Sequence, residues 1–193
     1  MLFEGDVMAP RVKITRENII NAAVEAVRAE GIDALNARAL AARLGCSTQP
    51  IFSNFSTMDE VELAVIKEAN ELCEEYINRE VASGEYPPYK ASGMAYIRFA
   101  REEKELFKLL YMREGGGEDT SLESSLTARM ETTVTRNTGL RDDGAKLFHL
   151  EMWAFVHGIA SMTATGFLDL EWELISKMLT DSYLGLKKHF CEE

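Results

Sequence analysis

A chain of 193 residues and 21.7 kDa, 46% hydrophobic and 27% charged, has the mix of a globular protein; a disordered, collagen-like or disulfide-stapled chain is excluded. No apolar run reaches the roughly 20 residues that span a bilayer, no secretory leader is expected, and three scattered cysteines (Cys46, Cys73, Cys191) form neither a disulfide framework nor a zinc pattern, so a cytoplasmic protein without a membrane partner is expected. The net charge of −11 argues against nucleic acid, but residues 10–58 carry six basic and four acidic side chains, a net +2, against fifteen and twenty-eight, −13, in the rest.

Apolar positions recur at helical spacing throughout and period-2 alternation does not, which predicts an all-α protein of about nine helices. Met1–Val7 carry no helical pattern and precede a second methionine, so the functional chain is expected to start near Met8. Thr15 is a good N-cap for a first helix, with Ile19, Ala22, Ala23, Ala26 and Val27 on one face and Gly31 as its stop. Asn36 caps a short second helix, Ala37–Leu44, and Gly45 supplies a left-handed turn. Ser47 is read as the cap of a third helix reaching Phe55, with Pro50 in its first turn. Thr57 and Glu60 form a capping box for a long fourth helix to about Val81. Pro87 and Pro88 start a fifth helix, Leu106–Leu110 read as a short sixth, and Gly115–Gly117 as a loop without the Gly-Lys-Ser/Thr of a phosphate cradle. Leu122, Leu126, Met130 and Val134 mark a seventh helix. An eighth spans roughly Ala145–Thr165 and a ninth roughly Glu171–Phe190.

Residues 36–55, NARALAARLGCSTQPIFSNF, have the spacing of a helix–turn–helix. Leu40, Ala41, Leu44, Ile51 and Phe55 lock the two short helices onto the first and leave the N-terminal end of the third outward. Ser47, Thr48 and Gln49 sit at that end. Gln49 suits a bidentate pair with an adenine edge, and the Thr48 methyl suits a thymine methyl. Arg38, Arg43 and one of Arg11 or Lys13 suit backbone phosphates, which position without specifying sequence. Asn36, Phe52 and Asn54 complete the DNA-binding set.

The stretches TRENIINAAVEAVRAEG, ALAARLGCSTQPIFSNF and MDEVELAVI resemble the tetracycline-repressor (TetR) family of bacterial transcription regulators over about the first third of the chain. EMWAFVHGIASM resembles a C-terminal module of some members, the WHG type, marked by Trp153, His157 and Gly158. The resemblance implies an all-α homodimer whose variable C-terminal domain binds a small molecule and changes the spacing of two recognition helices. Two positions depart from the family pattern. Phe52 stands where a tyrosine hydroxyl commonly meets a phosphate, and Met58 where a lysine is usual. Asn54 occupies a position often held by His or Tyr and retains a donor.

A DNA-binding domain is therefore expected over 12–72, and a ligand-binding and dimerisation domain over 73–193. The ligand set is Met94, Tyr96, Phe99, Phe107, Tyr111, Met130, Trp153 and His157, with Met112, Met152 and Met162 as further thioethers suited to an apolar or amphipathic ligand. On the eighth helix Ala154, Gly158, Ser161 and Thr165 make a stripe of small residues. On the ninth, Ile175, Met178, Leu179, Ser182, Leu186 and Phe190 make an apolar stripe. The two helices are expected to pair with their copies in a four-helix dimer interface. The three histidines are too scattered for a metal site and no nucleophile–base pair stands out, so neither cofactor nor enzymatic activity is expected. The function expected is a ligand-released, DNA-binding regulator, a repressor. The rival is a helical interaction module that has lost high-affinity DNA binding.

Overall fold

The computed structural model describes residues 14–112 and 121–191, including the side chains of all of these but 121–127. The expectations for Met1–Val7, Arg11, Lys13 and Gly115–Gly117 lie outside the described residues. The chain is all-α. Among the described residues it forms α1 (Arg16–Glu30), α2 (Ala37–Arg43), α3 (Gln49–Asn54), α4 (Met58–Ser83), α5 (Pro88–Glu102), α6 (Lys104–Tyr111), α7 (Ser121–Thr138), α8 (Asp142–Ala164) and α9 (Trp172–Cys191), with one 3-10 turn at Ile32–Ala34. None of these helices is long and apolar enough to cross a membrane.

Polar residues set the helix starts by satisfying backbone N–H groups that lack an intrahelical acceptor. The Asn18 N–H donates to Thr15 Oγ1 at 3.2 Å, and the Thr15 N–H donates to Asn18 Oδ1 at 3.1 Å, a reciprocal box opening α1. Asn36 Oδ1 accepts from the Ala39 N–H at 3.0 Å and opens α2. At α4, Thr57 Oγ1 accepts from the Glu60 N–H, while the Glu60 carboxylate reaches one residue further back, to the Ser56 N–H at 2.8 Å. The third helix departs from expectation. Ser47 is not its cap: Thr48 is the flanking residue, already in the helical region at φ −71° and ψ −14°, and it makes no side-chain cap bond. Its carbonyl receives the N–H groups of both Ile51 and Phe52, and Pro50 has no donor to satisfy, so little remains for a cap to do. Between α2 and α3, Gly45 has φ +62°. A Cβ there would meet nothing within 4 Å, so the dihedral rather than crowding selects glycine.

One hydrophobic core runs the length of the molecule. Ile19, Ala23 and Val27 of α1 receive Leu40 of α2 and Ile51 and Phe55 at α3. The same core continues through Val61, Val65, Cys73 and Ile77 of α4 to Phe99, Phe107, Ile159 and Leu179. Helix α4 passes without a break through residues 72 and 73. A smaller cluster of Val134, Ala145, Phe148 and Met152 closes the far end, with Tyr89, Tyr183 and Phe190 against it.

The apolar stripe expected on the outer face of α9 is turned inward. Ile175 and Leu179 are buried in the main core, Met178 packs on it, and Phe190 meets Phe148 at 5.8 Å between ring centroids. Within the chain, α9 needs that stripe to pack on α5 and α8. The large apolar side chains exposed on these two helices are instead Leu174 and Leu184 of α9 and Leu147, Leu150 and Trp153 of α8.

Candidate functional site

Two surfaces hold the residues of interest, at opposite ends of α4. At its N-terminal end, α2 and α3 sit on α1. Ile51 and Phe55 anchor α3 by one side, which leaves Gln49, Phe52 and Ser53 exposed on the other, with Phe52 half exposed at 50%. Arg38, Arg43 and Ser47 are exposed beside them, and Thr48 is half-buried. Several of these side chains already have partners within the chain. Asn36 caps α2 and also donates to the Ala34 carbonyl. Asn54 Nδ2 donates to the Pro50 carbonyl at 2.8 Å, inside its own helix. Arg43 forms an ion pair with Glu30 across α1 and α2, exposed to solvent; such a pair contributes about 0–1 kcal/mol and opens readily toward a phosphate. Arg16 fastens α3 to α1: its guanidinium donates to the Asn54 carbonyl at 3.0 Å and lies 3.9 Å from the Phe55 ring centroid. Nothing in the spacing of the sequence marks Arg16 for that role.

Toward the other end, α4, α5, α6, α7, α8 and α9 enclose a cavity of about 360 Å³. Its wall is mostly apolar and aromatic. Of the expected ligand residues, Tyr96, Tyr111, Met130 and Trp153 line it; Met94, Phe99 and Phe107 lie fully buried behind it, and His157 backs the wall without lining it. His157 stacks in parallel on Trp153 at 4.8 Å, its Nδ1 is 3.0 Å from the Tyr96 hydroxyl, and its Nε2 is 3.3 Å from Ser161 Oγ. Met152 also lines the cavity. Met162 is half-buried outside it, and Met112 is exposed.

Residues outside the expected set also line it, among them Asn70, Cys73 and Ile77 from α4, Tyr89 and Lys90 from α5, His149 from α8, and Leu179, Thr180 and Tyr183 from α9. Burial pushes the Cys73 thiol up to about 12, only partly opposed by the Tyr111 hydroxyl bonded to its sulfur, so it stays protonated and unreactive. Burial likewise raises Tyr89 well above the usual phenol range.

The Tyr89 hydroxyl is 3.0 Å from Nδ1 of His149. Burial lowers the His149 pKa below its usual 6.5, and the more distant Glu131 carboxylate opposes the shift only in part. Below pH 6.5 the unfolded chain therefore takes up a proton at this site that the folded chain resists, and stability falls as the pH drops from 6.5 through the folded-state pKa. Denaturant titrations between pH 7.5 and 5 are expected to show His149→Gln with a flatter slope than the parent chain. Parallel slopes would remove His149 from this account.

Residues 89–181, which include the whole of α8 and most of the cavity wall, match the family model described as "Tetracyclin repressor-like, C-terminal domain". Over this region the chain is similar to the C-terminal domain of TetR-like regulators. It is 24% identical over 166 residues to an uncharacterised HTH-type transcriptional regulator of Mycobacterium tuberculosis, an alignment covering 84% of this chain and 76% of that protein. Its fold is similar to a TetR-like transcriptional regulator from Rhodococcus sp. RHA1, with a TM-score of 0.66 at 15% identity over 87% of this chain and 92% of that one. It is also similar to a member of the TetR family from Streptomyces coelicolor A3, with a TM-score of 0.59 at 19% identity over 86% and 96%. The matched region contains Trp153, His157 and Gly158, with Trp153 lining the cavity and His157 stacked on it.

Proposed function

We propose that this TetR-like chain is a transcriptional repressor that binds a two-fold symmetric operator as a homodimer and is released from it by a small molecule in the cavity. The observation that carries the reading is the posture of α3, anchored on one side by Ile51 and Phe55 and solvent-facing on the other. A short helix held in that way suits a major groove, with Gln49 as the base reader and Arg38, Ser47 and Thr48 beside it. Residues 12–72 serve as the reading head and 73–193 as the ligand and dimer region. The dimer partner meets the exposed apolar side chains of α8 and α9, Leu147, Leu150, Leu174 and Leu184; on α8 the first two share a helix face with the small residues Ala154 and Gly158. A Cβ at Gly158 would meet nothing within 4 Å, so a second helix has room to approach there.

Ligand and operator act on one equilibrium. A ligand that favours another separation of the two heads weakens DNA binding, and operator weakens ligand binding by the same factor. Selection of bound DNA from a random library at several salt concentrations tests the reading, and a two-fold symmetric consensus is expected. Gln49→Ala is expected to cost about 1–3 kcal/mol on that consensus and little on unrelated DNA. Equal loss on every sequence removes Gln49 as a reader.

A helical interaction module without high-affinity DNA binding is the second reading. Two observations favour it: Phe52 offers no donor to a phosphate, and Arg43 is paired with Glu30. Selection that yields no consensus at low salt supports it.

A further inference from the structure

The charge of the ligand can be read from the cavity wall. This step rests on the cavity being the effector site. Among the described residues lining it, Lys90 alone carries a permanent charge and none is a carboxylate. The one imidazole among the described lining residues, His149, is held toward its neutral form by burial.

The half-buried Lys90 ammonium has no ion-pair partner among the described residues. Its Nζ donates to Thr180 Oγ1 at 2.8 Å, and it lies 4.9 Å from the centroid of the Tyr86 ring. The Thr180 hydroxyl spends its one donor on the Ser176 carbonyl at 3.0 Å and carries no charge. It therefore holds the ammonium in place without neutralising it. A ring face accepts no conventional hydrogen bond, so two of the three N–H donors of Lys90 remain uncommitted. A cation drawn partly out of water in a cavity also lined by Ile77, Met152, Val156 and Leu179 favours an anion over a neutral group, and a second cation is disfavoured.

We propose that the cavity takes a small amphipathic monoanion, a carboxylate with an apolar body, and that Lys90 receives the carboxylate. One positive charge matches one negative charge, and a charge-assisted hydrogen bond is the strongest polar contact this wall offers. Thr180 is a positioning residue.

Octanoate, octanol and octylammonium share one apolar body and differ in charge. In calorimetric titrations of the full chain, octanoate is expected to bind roughly tenfold to a hundredfold more tightly than octanol. Octylammonium is expected to bind weakest. Lys90→Met removes the preference for octanoate and keeps octanol binding; Lys90→Gln gives the same result should the methionine variant fold poorly. Lys90→Arg keeps the preference, and Lys177→Met, on the exposed side of α9, changes nothing. Octanol binding as tightly as octanoate, or an octanoate preference that survives loss of Lys90, overturns the charge assignment and leaves the cavity reading intact. Failure of all three probes to bind overturns both.

Discussion

Phe107→Ala is expected to lower the free energy of unfolding by about 3–5 kcal/mol in denaturant titration, the usual cost of emptying a large aromatic site. Phe107 has no solvent exposure and sits at the centre of an aromatic group. Its ring centroid lies 5.0 Å from Tyr111, 5.5 Å from Tyr96, 5.9 Å from His157 and 6.5 Å from Phe99. Rings at such separations contribute beyond their buried area. Tyr96 and Tyr111 also line the cavity, so the vacated space borders it and leaves two of its lining side chains unsupported. A loss under about 1 kcal/mol would mean that the neighbours collapse into the gap, and that this part of the core is far more plastic than its packing implies.

Arg98→Ala is expected to cost about 3 kcal/mol for a different reason. Glu80 is buried on α4, its carboxylate is 3.4 Å from the Arg98 guanidinium, and its Oε1 makes no hydrogen bond within the described residues. Removing Arg98 leaves that carboxylate without a counter-charge, a change that costs roughly 3–5 kcal/mol for a fully buried pair. Arg98 is about one-third exposed, which sets the expectation at the lower end. The guanidinium also lies 4.4 Å from the Trp172 ring centroid, so the same substitution loosens the start of α9. Replacing both partners by leucine is expected to restore most of the loss, since an apolar pair of similar volume carries no desolvation penalty. A double-mutant cycle across Glu80 and Arg98 reads the coupling. Additive losses would show that the carboxylate does not need the arginine.

Local chemistry made much of the fold legible. Thr15, Asn36 and Thr57 mark three helix starts because a short polar side chain there satisfies backbone donors. Gly45 marks the turn between α2 and α3 because few other residues accept its dihedral. Leu40, Ile51 and Phe55 are apolar at a spacing that only packing on α1 explains. What stayed hidden depends on distant partners. Helical periodicity shows that α9 has an apolar face but not which neighbour the face meets, so Ile175 and Leu179 read as a surface for a second copy while they pack on α5 and α8. The ion pair of Arg43 with Glu30 and the bond of Arg16 to the Asn54 carbonyl join residues far apart in sequence. The cavity wall draws on six helices. Tyr96 and Trp153 stand out by residue type, whereas Lys90, Thr180 and Cys73 carry no pattern that separates them from ordinary helix-surface or core positions.

The continuity of α4 bears on how the molecule comes apart. No linker separates α1–α3 from the region around the cavity: α4 belongs to both, and one set of buried side chains extends from Ile19 to Leu179. Severing the chain near residue 72 would cut that helix a little past its midpoint and divide this core between two fragments. The two ends therefore melt together in one cooperative transition, and the free energy a small molecule contributes by binding the native form at one end protects the other from unfolding as well.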